Sequence, residues 1–254
     1  MSLRVMTYNV LNGGIGREGL LLEVLRAANP DVVVLQEVLD EGFPYRMAEA
    51  LDMRYFFARG NTKYHLALLS RWPIVASHSH HPFPPIHTTV LEATIEHPSG
   101  QRVDVFGVHP VPLSSVFLEF WRLWEITVVL RRARRRAPSL CLVVGDFNAS
   151  APGDNPQVHR LGLFIRLLVL LQGRRIYRFA IRAMLNGGMA DCFRELHFDA
   201  DGFTYGPPIP IGRIDYIFAN AAMRARLREC FVVRAPPAVD GASDHYPVMA
   251  HFAL

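Results

Sequence analysis

The chain is expected to fold as an α/β (α+β) protein in which two β-sheets pack face to face with helices outside. Three observations predict this. Strands outnumber helices, several strands follow one another directly, and many of them break off at a polar residue. Direct succession requires mixed or antiparallel sheets, so a simple parallel doubly wound fold does not fit. The 254 residues, half of them hydrophobic, suffice for a large core and include no long polar tract. No linker, repeat or boundary divides them, and one domain over residues 1–254 is expected.

Leu3 to Tyr8 alternates as a strand and ends at Asn9. The glycines of LNGGIG follow, without the Gly-Lys-Ser/Thr ending of a phosphate-binding P-loop. Arg17 to Ala28 has apolar residues at helical spacing (Leu21, Val24, Leu25, Ala28) and stops before Asn29-Pro30. Asp31 to Leu35 is a second buried strand, ending in Gln36-Glu37. A short helix near Pro44 to Leu51 leads to strands Arg54 to Ala58 and His65 to Ser70. Further strands are expected near Val75 to His80, Thr89 to Glu96 and Arg102 to Val108, the last running into His109. Ser114 to Arg132 reads as a long helix. Its apolar face holds Phe117, Phe120, Trp121, Trp124 and Val128, with Glu119, Arg122 and Glu125 toward water.

The stretch Ser139 to Ser150, SLCLVVGDFNAS, organises the rest. Its apolar run Leu140 to Val144 reads as a strand buried on both faces that breaks at Gly145. Asp146 and Asn148, two residues apart, then project on one side of an extended backbone. Taken alone, the stretch reads equally as a strand end followed by a Gly-Asp/Asn turn. A largely helical segment comes next, then strands at Arg213 to Ala219, Leu227 to Val233 and Pro247 to Phe252. Within the helical segment Leu161 to Leu171 is apolar on nearly every face, and Arg175, Arg178 and Arg182 form a basic stripe opposite Tyr177, Ile181 and Leu185.

The formal charge of +4 is carried almost wholly by arginine, Lys63 being the only lysine. Guanidinium suits a phosphate-bearing partner, although a GC-rich genome would give the same bias. Cys141, Cys192 and Cys230 sit in apolar surroundings and read as buried free thiols of a reducing compartment. The start, MSLRVMTYNV, lacks the apolar segment of a signal peptide, and no apolar run is long enough to span a bilayer. A cytoplasmic protein is expected. His78, His80, His81 and His87 lie in the proline-broken SHSHHPFPPIH, with no cysteine or well-spaced carboxylate, and read as a solvated strand edge rather than a zinc site. Arg131 to Arg136 reads as the solvated end of the long helix, where cations complement the dipole.

Six strand ends supply carboxylates, amides and imidazoles: Asn9, Glu37, His109, Asp146 with Asn148, Asp215, and Asp244 with His245. Solvated turns do not explain six ends of matching chemistry. In this order TYNV, LQEV, LLSRWPI, GVHP, GDFNA, RIDYIF and SDHYPV resemble the endonuclease/exonuclease/phosphatase superfamily, over essentially the whole span from Leu3 to Leu254. That group includes pancreatic deoxyribonuclease, abasic-site endonucleases, bacterial sphingomyelinases and inositol-polyphosphate phosphatases. The resemblance implies a four-layer α/β sandwich of two mostly antiparallel or mixed sheets flanked by helices. Its simplest members have a shorter connection after GDFNA, so residues at about 157–188 read as an inserted helical hairpin beside the site. A lid packed on the core, a substrate-facing wall and an interfacial membrane contact are the roles open to it; packing on the domain is preferred.

Phosphoester hydrolysis needs charge neutralisation on the phosphate, an activated water and help for the leaving oxygen. Glu37 is a hard oxygen ligand suited to Mg²⁺ or Mn²⁺, and the resemblance adds Asn9 and Asp244 to that metal site. Asp146 is the residue to orient and deprotonate the attacking water, with Asn148 holding water or phosphate beside it. His245 and His109 would contact phosphoryl oxygens, and Asp215 would hydrogen-bond His245, fixing its tautomer and favouring its protonated form. The expected activity is that of a divalent-metal-dependent phosphodiesterase on nucleic acid. The alternatives are a lipid or small-molecule phosphodiesterase or phosphatase, of sphingomyelinase or inositol-phosphatase type, and a phosphate-binding scaffold without hydrolysis. Membrane lipid is a second partner through Leu161 to Leu185, and no obligate protein partner is implied.

Overall fold

A computed structural model describes residues 2–113, 115–136 and 138–254. Met1, Ser114 and Ala137 lie outside the described residues, so the expected helix start at Ser114 falls there too. In chain order the elements are β1 (Ser2–Asn9), α1 (Glu18–Ala28), β2 (Val32–Val38), α2 (Gly42–Leu51), β3 (Arg54–Ala58), β4 (His65–Ser70), β5 (Ile74–His80), β6 (Val90–Glu96) and β7 (Arg102–Val108). Then come α3 (Val116–Arg135), β8 (Leu140–Asp146), α4 (Leu163–Leu171), α5 (Phe179–Asn186), β9 (Ala190–Asp191) and α6 (Cys192–Leu196). The chain closes with β10 (Asp215–Ala219), α7 (Ala221–Arg224), β11 (Leu227–Val232), α8 (Val239–Ala242) and β12 (Val248–Ala253).

Alternation along the strands decides the layers. Val32 and Val34 of β2 face a core between two sheets, while Val33 and Leu35 face outward into a second core under α1, α2 and α8. In β8, Leu140, Leu142 and Val144 face the inter-sheet core; Cys141 and Val143 face a third core under α3 and α5. Three apolar layers between four structural layers make the sandwich. One sheet runs β11-β12-β1-β2-β4-β3 and the other β5-β6-β7-β8-β10-β9, each with six strands. Both are mixed, as the direct succession of strands requires. The three cysteines are buried and free.

This topology gathers the strand ends. β1 and β2 run parallel, joined through α1, so Asn9 and Glu37 leave the same edge. β12 runs antiparallel to β1, so the residues just before it, Asp244 and His245, arrive at that edge as well. In the second sheet β7 and β8 are parallel, joined through α3, and β10 is antiparallel to β8 with Asp215 opposite Asp146. Residues after parallel strands and before antiparallel ones thus share one end of the sandwich.

β8 continues through Asp146 rather than breaking at Gly145, because Gly145 pairs with Val108 of β7. A Cβ on Gly145 would stand 2.1 Å from the Val108 carbonyl oxygen. Only glycine lets the two parallel strands approach this closely at their ends.

Two expectations are corrected. In α3 the charged residues point inward: Glu119 is 1% exposed and Arg122 and Glu125 are each 3%, whereas Phe117 is 82% exposed and Phe120 and Trp121 also face out. The first half of this helix covers backbone rather than apolar side chains. Glu119 accepts from Ala180 N (3.0 Å) and Arg122 Nε (2.8 Å), and Arg122 donates to the carbonyls of Val111 and Leu113 (2.8 Å each). Glu125 accepts from His87 N (2.5 Å) and Val111 N (2.9 Å). Buried polar groups are stable where each meets a partner, and here they supply the partners that two loops lack. Only the second half of α3, with Ile126, Val129, Leu130 and Ala133, packs by apolar contact.

The second correction concerns the hairpin. α5 packs on the domain through Ala180, Ile181 and Met184, but α4 buries only Val169 and leaves most of its leucines bare. The basic stripe also divides: Arg178 is half-buried and donates to Asp154 O (2.6 Å), while Arg175 and Arg182 are exposed.

Candidate active site

Glu37 and Asp146 are joined by one amide. Asn9 Nδ2 donates to Glu37 Oε1 at 3.1 Å and to Asp146 Oδ2 at 3.0 Å, while its Oδ1 accepts from Leu11 N. Asn9 is fully buried at the end of β1, so its three polar contacts fix it. Glu37 reaches it through a local irregularity. The register of β2 on β4 shifts between Leu35 and Val38, and Glu37 sits at φ 59°, in the left-handed region that non-glycine residues seldom adopt. Such a bulge turns a strand side chain out of its regular face. The second carboxylate oxygen of Glu37 accepts from Asn12 N (2.8 Å).

Asp146 is buried at the end of β8 and accepts from Asn148 N (2.8 Å). Asn148 takes φ 50°, which asparagine tolerates better than most residues, and its Nδ2 donates to Pro110 O (3.1 Å). The GDFNA turn is therefore bonded to the loop that follows β7, and the same loop carries His109. His109 Nε2 stands 3.6 Å from Asp146 Oδ2.

His245 Nδ1 lies 2.9 Å from Asp215 Oδ2, and its Nε2 points between Asp146 Oδ2 (3.8 Å) and Asp244 Oδ1 (3.9 Å). The SDH turn is tied to β1 by Ser243 Oγ, which donates to Asn9 O (2.6 Å) and accepts from His245 N (3.2 Å). The electrostatics follow from this crowding. Burial by itself would lower the His245 pKa, but Asp215, Asp146 and Asp244 outweigh it and raise it to about 10. Burial, with Asp215 adding to it, raises Asp146 to about 7 against the opposing pull of His245 and two amide donors. His109 falls to about 3 and is neutral, driven down first by burial and then by His87 and His245. One imidazole is thus held charged and the other uncharged within a single site.

Asp244 is raised by burial and by Glu37, against the pull of His245. Glu37 and Asp244 line one cleft of about 300 Å³ and lie near enough for Glu37 to raise the Asp244 pKa. Two oxygen carboxylates plus room for water fit a hard divalent ion. A different trio, Asp146, Asp215 and His245, places its ligand atoms within 4.8 Å of one another. That trio is less suited to metal, since Asp215 is bonded to His245 and a protonated imidazole has no free lone pair.

All eight sequence-predicted residues, Asn9, Glu37, His109, Asp146, Asn148, Asp215, Asp244 and His245, come to this one end of the sandwich. Asn148 contributes mainly as a strut between turns. Sequence reasoning missed Tyr64, Tyr205 and His87, which line the cleft. The Tyr205 ring lies 5.1 Å from that of His245, and the His87 ring 5.7 Å from that of His109. Of the three, only Tyr64 lies directly before a strand, β4, and so carried any hint in the sequence. Of the histidine cluster, His80 pairs with Glu92 (2.5 Å) instead of lying in water, and Arg136 pairs with the same carboxylate. Arg213 of the RID motif, also missed, is buried and bonded to Asp154 (3.0 and 3.1 Å) and Asp191 (2.6 Å), bracing the loop before β10.

The same cleft is also lined by an apolar group, Leu161, Ile165, Val169, Ile176 and Ile211. Sequence alone gave no register for this wall.

The fold is similar to that of several solved structures. A 3′ phosphatase from Neisseria, bound to a product DNA hairpin, superposes with TM-score 0.79 at 23% identity, over 99% of this chain and 100% of that one. An AP endonuclease from Archaeoglobus fulgidus gives 0.78 at 20% identity, over 99% and 100%. Truncated TDP2 from Caenorhabditis elegans gives 0.68 at 16% identity, over 100% and 98%. No curated protein matches the sequence. The model of the endonuclease/exonuclease/phosphatase family matches residues 6–245, and the chain belongs to that family.

Proposed function

We propose that the protein is a divalent-metal-dependent phosphodiesterase acting on nucleic acid, with Mg²⁺ or Mn²⁺ as its ion. The reading rests on one observation above the others: a charged imidazole and a buried carboxylate of raised pKa meet in the same cleft as two further carboxylates. Family membership and the DNA-directed relatives described above support nucleic acid as the substrate.

Glu37 and Asp244 would hold the ion, with Asn9 orienting Glu37; the ion supplies charge neutralisation for the phosphate. Asp146 accepts the proton of the attacking water. Its raised pKa makes it a competent base near neutral pH, and Asn9 and Asn148 keep its carboxylate in place. His245, held protonated, donates Nε2–H to a phosphoryl oxygen, and Asp215 keeps it in the orientation that does so. Neutral His109 offers a single N–H to a second phosphoryl oxygen. Residues 1–254 act as one domain, with the insertion at about 157–188 forming one wall of the cleft. Three buried free thiols suit a cytoplasmic setting. Among the described residues no helix is long and apolar enough to cross a membrane.

A second reading, a lipid phosphodiester as substrate, is favoured by the apolar wall of Leu161, Ile165, Val169 and Ile176. The deciding experiment is a screen of DNA and RNA oligonucleotides, phospholipids and phosphate monoesters with Mg²⁺ or Mn²⁺. Cleavage of oligonucleotides is expected. Turnover of phospholipids with intact oligonucleotides would replace the first reading by the second.

A further inference from the structure

Helix α4 has two working faces. Ile165 and Val169 turn toward the cleft, whereas Leu163, Phe164, Leu167, Leu170 and Leu171 are exposed, Leu163 by 79% and Leu171 by 75%. The apolar surface does not end with α4. Val116 N donates to Gln172 Oε1 (2.6 Å), joining the start of α3 to the end of α4, and there Phe117, Phe120 and Trp121 are exposed as well. Bare apolar surface on this scale is unfavourable in water and marks a contact.

The charges around it say with what. From Asn155 to Ala190 the sequence holds six arginines and no aspartate or glutamate. Arg160 just before α4, Arg166 within it and Arg174 just after it are all exposed. A short apolar face accompanied by arginine and flanked by tryptophan has the character of a helix lying in a membrane interface. A second copy of the chain is a poor fit, because a two-fold contact would set one group of arginines against the other with no acidic residue of the segment to pair. Nine residues make a helix only about 13 Å long, too short to span and sufficient to lie flat.

We propose that α4, continued by Phe117 and Trp121, docks the protein on an anionic lipid bilayer. The docked helix brings the cleft mouth to the lipid surface, since its other face is the cleft wall. Docking is independent of which phosphoester the site cleaves.

Sedimentation of the full chain with phosphatidylglycerol vesicles and with phosphatidylcholine vesicles tests this. Wild type should bind phosphatidylglycerol at least tenfold better, and less as salt rises. Leu163→Ser/Phe164→Ser/Leu167→Ser and Arg160→Gln/Arg166→Gln/Arg174→Gln should each lose at least tenfold in binding, with unchanged thermal midpoint and unchanged hydrolysis of a soluble phosphodiester. Wild type remaining in the supernatant, or both variants binding as wild type does, would overturn the proposal. A dimer by light scattering that the serine variant converts to monomer would assign the face to a second copy and overturn it equally.

Discussion

Asp215 and His245 form a buried hydrogen bond of 2.9 Å across two sheets, and it sets the charge of the imidazole. Removing the carboxylate charge with Asp215→Asn should lower the His245 pKa and move the alkaline limb of the pH–rate profile to lower pH. The linkage has a definite sign. A histidine raised in the folded state contributes stability fully present below its ordinary pKa of about 6.5 and lost as pH rises toward about 10. NMR titration of the His245 ring reads the shift directly, and an unchanged titration in the variant would show that the two do not pair.

Asp146→Asn keeps the size and most hydrogen bonds of the proposed base while removing its proton affinity. Turnover should fall by about a hundredfold or more with the fold retained. Single-turnover kinetics with a circular dichroism melt separate the two effects; a folded variant with wild-type turnover would place the base elsewhere.

Chelation should abolish activity, and Mg²⁺ or Mn²⁺ should restore it. The ion should also raise the thermal midpoint of the wild type through binding linkage, and do so much less for Glu37→Gln. Calorimetry with and without the ion checks this apart from catalysis, and full turnover by metal-stripped protein would refute the dependence.

Both oxygens of Glu125 accept backbone N–H groups, from His87 and Val111. Glu125→Gln turns one acceptor into a donor facing a donor, which should cost about 1–3 kcal/mol. Urea denaturation measures it. Because Val111 follows the His109 loop, the variant should also show altered substrate affinity.

Much of this site was legible because its residues lie at strand ends, where periodicity breaks visibly: Asn9 after an alternating run, Asp146 after a buried one. The order of strands then brings them together without any long-range signal in the sequence. What sequence did not reveal depends on tertiary placement. Phe117, Phe120 and Trp121 look like a core stripe, and Glu119, Arg122 and Glu125 like a wet one, until two loops short of hydrogen-bond partners lie beneath the helix. The Glu37 bulge is equally silent, since its cause is a register shift against β4 rather than a local residue preference. Tyr64 and Tyr205 entered the cleft from loops whose courses no pattern encodes.

The central pairing of β1 with β12 bears on how the protein is made. On the ribosome the N-terminal half can assemble β1, β2, β4 and β3, but one side of β1 stays open until residues 248–253 have been synthesised. An unpaired strand edge invites pairing with other chains, so the nascent protein carries that hazard until β12 is made. Asp244 and His245 come just ahead of that closing strand. A growing chain therefore carries Glu37 and Asp146 early and acquires its charged imidazole last, so that sealing of the sheet and completion of the hydrolytic machinery are one event.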